Sequence, residues 1–139
     1  MKIIIALIPL IYFLLSESVH AGITKPIVGF ATYYTKKSCI REGTTGTTMA
    51  SNKPYDESAF TCALPFHPPI IRNRRTWGKS YRVTNLSNSK SILVKHMDYG
   101  PGRKARAKNV VIDLTPTAFK SLGVEPRHGR VKVRVERVR

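Results

Sequence analysis

Acidic side chains are scarce in this chain: 8 Asp+Glu stand against 24 Lys+Arg, a formal net charge of +16 over 139 residues. Cysteine is scarcer still, at two, and there is a single tryptophan. Two cysteines close at most one intramolecular bridge, so a disulfide-rich miniprotein is excluded. No apolar run reaches the ~18 residues of a membrane-spanning helix; the longest, Ile3 to Leu15, is interrupted by Pro9. The chain has no phosphate-cradling glycine loop, no zinc-ligand spacing and no nucleophile elbow, so nothing in it speaks for nucleotide, zinc or serine-hydrolase chemistry. We expect neither a metal nor a cofactor. The length suits one domain.

What the N-terminus does have is the layout of a cleavable signal peptide. A basic start (Met1–Lys2) precedes the apolar stretch, and Val19 and Ala21 supply small residues ahead of a cleavage point. The expectation is a signal segment over 1–21 and one secreted or periplasmic domain over 22–139, with no stable membrane anchor after cleavage. Outside the cytoplasm the polyanions on offer are wall polymers and lipid headgroups, and this much positive charge favours adhesion to them over nucleic acid. An oxidising compartment also lets Cys39 and Cys62 pair, a bridge worth about 3 kcal/mol by chain entropy.

After residue 21 the chain reads as short strands and turns. Ile27–Tyr34, Ser80–Leu86, Ser91–His96 and Val110–Leu114 are strand-like, and Val131, Val133 and Val135 alternate with polar neighbours. Ser87–Asn88–Ser89 suits a hairpin turn. Thr115 as N-cap, Pro116 as first residue and Gly123 as left-handed terminator bracket one short helix. Many short strands with one or two short helices predict a mainly β protein, a small barrel.

Seven carboxylates follow residue 21. Asp98 is the leading candidate for chemistry, because it ends a strand and opens the Tyr99–Gly100–Pro101–Gly102 loop, where a rigid element presents a reachable group. Asp56 is a secondary candidate with a turn-like setting. Asp113, two residues before the helix cap, reads as a structural partner of loop amides. Tyr33, Tyr34, Tyr99 and Trp77 offer rings on which sugars could stack.

Five stretches in order point to a family. Gly29–Phe30–Ala31–Thr32–Tyr33–Tyr34, Ala50–Ser51–Asn52 with Tyr55–Asp56, Tyr81–Arg82–Val83–Thr84–Asn85–Leu86, Asp98–Tyr99–Gly100–Pro101 and Val111–Ile112–Asp113–Leu114 resemble the motifs of rare-lipoprotein-A-like domains. The resemblance covers residues 28–136 and implies a six-stranded double-psi β-barrel, distantly akin to barwin and expansin domains. It also implies peptidoglycan as ligand and lytic transglycosylase activity, in which the muramic 6-hydroxyl closes an anhydro ring and no water is added.

One carboxylate can serve that reaction, first as acid and then as base, and Asp98 is assigned the role. His67 stands three residues after the place of the family's histidine and is a speculative second catalytic group. Lys53 occupies the place of a family glutamate; with Lys95, Tyr33, Tyr34 and Tyr99 it is assigned to substrate binding. The alternatives are a non-catalytic, expansin-like wall binder and a cationic polyanion-binding or antibacterial protein. The expected partner is peptidoglycan or another wall polyanion, with no nucleic acid in vivo, and the expected state is a monomer.

Overall fold

Period-two burial builds this protein. The computed structural model describes residues 25–65 and 77–139. The proposed signal segment, His67 and the Arg72–Arg75 stretch lie outside the described residues.

Six strands, β1 (Ile27–Tyr33), β2 (Thr61–Leu64), β3 (Ser80–Asn85), β4 (Ser91–Tyr99), β5 (Val110–Leu114) and β6 (Val131–Arg137), close into a barrel in the order β1-β5-β2-β4-β3-β6. β1–β5 and β2–β4 pair parallel, and the other four contacts are antiparallel. The fold is a six-stranded double-psi β-barrel, as expected. Closure leaves no sheet edge open to mispairing. Three short helices join it, α1 (Lys36–Arg41), α2 (Arg103–Arg106) and α3 (Pro116–Ser121), one more than the sequence led us to expect.

The interior is filled by alternate strand residues: Ala31, Cys62, Tyr81, Val83, Val94, Ile112, Leu114, Val133 and Val135 are essentially inaccessible. α3 adds Ala118 and Phe119, and Leu122 follows, all three fully buried. Each large apolar side chain so removed from water stabilises the fold by about 1.5–3 kcal/mol. Thr115 does begin α3, but its hydroxyl donates to the Ala59 carbonyl instead of capping the helix. Gly123 takes the left-handed geometry at φ 74°. Asn85 explains its motif: its Nδ2 donates to Leu122 O at 3.0 Å, and Asn88 Nδ2 reaches the same carbonyl at 2.9 Å. The β3–β4 turn is thereby fastened to the end of α3.

Gly29 is needed for closure. A Cβ there would lie 2.5 Å from Val111 Cγ1 and 2.7 Å from Asn109 O, so only glycine lets β1 lie against β5 at this point.

Candidate functional site: a cleft with two carboxylates

The cleft forms where small residues stop the outer face from filling. Ala63 on β2 pairs with Asp98 of β4 on one side and with Asp113 of β5 on the other. Residues directly paired across strands share a face, so the two carboxylates rise on either side of a methyl group. Two strand spacings put their backbones about 9–10 Å apart. All three line a cleft of about 1110 Å³, walled by the end of β1, by α1 with the loop after it, and by α2.

Asp98 is held by the Ala50–Ser51–Asn52 loop. Ser51 N donates to Met97 O at 3.2 Å, docking the loop on β4. Ala50 N then donates to Asp98 Oδ1 at 2.9 Å, as does Tyr99 N, while Tyr34 Oη donates to Oδ2 at 3.3 Å. Asn52 takes the left-handed conformation, φ 63°, that its motif requires. Burial pushes the Asp98 carboxyl above the ordinary value, and the three hydrogen bonds pull against it. Lys95, Arg103, Lys104 and Arg106, the cations that flank Asp98 in sequence, do not reverse the balance.

Asp113 is the residue that sequence reasoning passed over. It does not serve loop amides; it faces the cleft and accepts a hydrogen bond from the Thr32 hydroxyl. Burial raises its pKa to about 6, opposed by that bond and reinforced by the charges of Glu42 and Asp98. Gly100 closes over it: a Cβ on Gly100 would stand 3.1 Å from Asp113 Oδ2. The Asp–x–Gly–Pro and Ile–Asp–Leu motifs are thus two halves of one site. The hint lay in the strand count, since Asp98 and Asp113 both fall where a strand meets its loop.

The other candidates divide. Tyr34 belongs to the site; its ring stacks on Tyr55 at 4.8 Å, and burial followed by the Asp98 charge pushes its phenol well up. Tyr99 lines the cleft and its ring lies 4.8 Å from Trp77. Tyr33 reaches the cleft wall but packs on Phe119 at 5.0 Å. Asp56 does not join them: it is exposed and accepts from Ser58 N at 2.8 Å and Ser58 Oγ at 2.7 Å, a turn that lowers its pKa. Lys53 and Lys95 are exposed side chains outside the cleft lining.

The expected bridge is not formed, and both thiols are free. Strand alternation is the physical reason. Cys62 points into the barrel with no exposure, while its neighbour Ala63 faces the cleft that Cys39 of α1 lines. No group of side chains suited to a metal ion occurs among the described residues, and no helix among them is long and apolar enough to cross a membrane.

No family model and no curated protein matches the chain. Solved structures do. Streptomyces papain inhibitor is 26% identical over 84% of this chain and 96% of its own, with a TM-score of 0.60. The apo expansin of Clavibacter michiganensis is 20% identical with a TM-score of 0.58, and a mutant of that expansin in complex with cellohexaose is 21% identical with the same score. The chain spans 51% of the expansin's length. Together with the strand order, these likenesses define the protein as a double-psi β-barrel.

Proposed function

We propose that the protein is an exported, wall-directed barrel that binds a polysaccharide strand in this cleft and cuts it by lytic transglycosylation of peptidoglycan. The observation that carries the reading is the pair of unequal carboxylates facing each other across Ala63. Asp113, with its pKa near 6, keeps its proton in mildly acidic surroundings and is the group fit to protonate the glycosidic oxygen. Asp98, held by two amides and a phenol, is the better anion. It balances the positive charge that develops at the sugar's anomeric carbon.

As the C–O bond breaks, the leaving oxygen takes the Asp113 proton. The muramic 6-hydroxyl bonds to the anomeric carbon, and its proton passes to Asp98. Proton exchange with solvent resets the pair. This divides between two residues the work that the sequence assigned to Asp98 alone. A cellohexaose complex of a structural neighbour supports the polysaccharide part of the reading.

The test is to incubate residues 22–139 with intact and peptide-stripped peptidoglycan and analyse the soluble fraction by mass spectrometry. Fragments with anhydro-muramic ends support the reading. Binding without fragments makes the protein an expansin-like wall binder, and reducing ends without anhydro rings make it a hydrolase.

A second reading has one observation behind it: the likeness to Streptomyces papain inhibitor spans 96% of that chain. Titration of papain with the protein decides it, and undiminished protease activity at equimolar protein removes it.

A further inference from the structure

Beside this cleft, whose lining mixes Glu42, Asp98 and Asp113 with Arg103, Lys104 and Arg106, lies a second cavity of about 450 Å³ whose charged lining is basic only. Lys104 and Lys108 line it from α2 and the turn after it, and His128 and Arg130 from the segment before β6. No carboxylate is among its lining residues. The ion pairs found among the described residues all end on Glu136, so none of these four side chains has one with a described residue.

Gathering like charges is unfavourable unless a counter-charge arrives, and here the gathering is built into the backbone. Phe30 of β1 organises both sides. Its amide donates to Asn109 O at 2.8 Å, anchoring the turn that carries Lys108. Its ring lies under the Arg130 guanidinium at 4.4 Å, which holds that side chain in place. Asn109 (φ 61°) and Gly129 (φ 70°) make the reversals that bring the two segments to Phe30.

The two cavities are contiguous, since Thr32, Lys104 and Ala105 line both, and Thr32 is the residue that donates to Asp113. On the first cleft's side of α2, Arg106 keeps a buried Nε–H with no acceptor among the described residues. Such an orphan donor is a cost that an oxygen arriving there would remove.

We propose that Lys104, Lys108, His128 and Arg130 form a subsite for an oxyanion, a carboxylate or a phosphate, borne by the polysaccharide whose strand occupies the neighbouring two-carboxylate cleft. The inference rests on the cleft's proposed function and narrows it: the strand is an acidic polysaccharide, and a neutral glucan satisfies only half of the surface. Oxyanions suit this subsite because arginine and lysine N–H groups give them charge-assisted hydrogen bonds.

Calorimetry tests this with three defined ligands: hexagalacturonate for carboxylate, poly(glycerol phosphate) for phosphate and cellohexaose as the neutral strand. The Lys108→Gln/Arg130→Gln protein is compared with Lys79→Gln/Lys90→Gln, which loses the same charge elsewhere. We expect the subsite variant to bind one of the two anionic ligands at least about tenfold more weakly, the worth of one good charged contact. The control should change by less than about twofold, and cellohexaose binding should be the same in all three proteins. The ligand that responds identifies the anion.

Equal losses in both double variants, or no loss in either, overturn the proposal. So does a short single-stranded DNA that alone depends on the subsite. Asp113→Asn separates the two readings, because it should stop cleavage and keep the anion affinity. Cleavage with no subsite dependence removes only this inference, and subsite binding with no cleavage removes only the catalytic one.

Discussion

Asp98 and Asp113 flank a single alanine, Ala63, each paired with it across a strand, one parallel and one antiparallel. The relation depends on the barrel's closing order, in which β2 lies between β4 and β5. It gives two carboxylates from motifs 15 positions apart in the sequence a common floor, and it keeps that floor low.

Ala63→Leu tests the floor. The added carbons have no room beside a residue only 2% exposed, so stability should fall by about 1–3 kcal/mol through overpacking. Oligosaccharide affinity should fall with it. Calorimetric melting and titration read both, and unchanged affinity would place the ligand elsewhere.

Asp113 links stability to pH. Its folded pKa, about 6, exceeds the ~3.9 of an unfolded aspartate. Between these values the folded state binds more protons than the unfolded state, so stability falls as pH rises from about 4 to about 6. Asp113→Asn should remove that slope and raise stability at pH 7 by about 2 kcal/mol, the shift being discounted for the open side of the cleft. Denaturant melts at pH 4 and pH 7 check it. A destabilised Asn variant at pH 7 would mean that Asp113 is better satisfied as an anion than its burial implies.

Gly100→Ala should damage the site while leaving both acids in the sequence. The residue sits at φ 152°, and its new methyl would press on Asp113 Oδ2 at 3.1 Å. A cost of about 1–3 kcal/mol and loss of cleavage are expected. Wild-type cleavage by this variant would mean that the loop yields freely.

Tyr34→Phe removes one of the bonds that favour the Asp98 anion. The Asp98 pKa should rise, read by carboxyl carbon resonances through a pH titration. A fall would show that the Tyr34 hydroxyl does not favour the anion.

Thiol chemistry follows from the placement of the cysteines. Cys62 is inaccessible and Cys39 partly open, with burial holding both thiols above their usual pKa. Native protein should release one equivalent in a thiol assay at pH 8, slowly, and unfolded protein two. None in the unfolded protein would establish the bridge expected from export.

The barrel was largely legible in the sequence because its strands alternate cleanly. Val131, Val133 and Val135 are the plainest instance, and the helix after Thr115 carries ordinary start and stop residues. β2 was missed because Thr61–Leu64 is short and nearly all buried, leaving no alternation to read. α1 was missed because its capping box uses Ser38 where a glutamate or glutamine is usual. At the site, Asp98 was legible from its loop. Asp113 was not, because its neighbour in space, Gly100, comes from another strand's loop, and it takes the pairing of β2 with both β4 and β5 to bring them together.

The rate of anhydro-fragment release against pH, measured for the wild type, Asp113→Asn and Asp98→Asn, tests the central claim most directly. The account predicts that wild-type release declines above about pH 6 as Asp113 loses its proton. It predicts that both variants fall by at least about a hundredfold, the usual worth of a positioned acid or base. Full activity in Asp113→Asn, or a wild-type profile flat from pH 4 to pH 8, would contradict it.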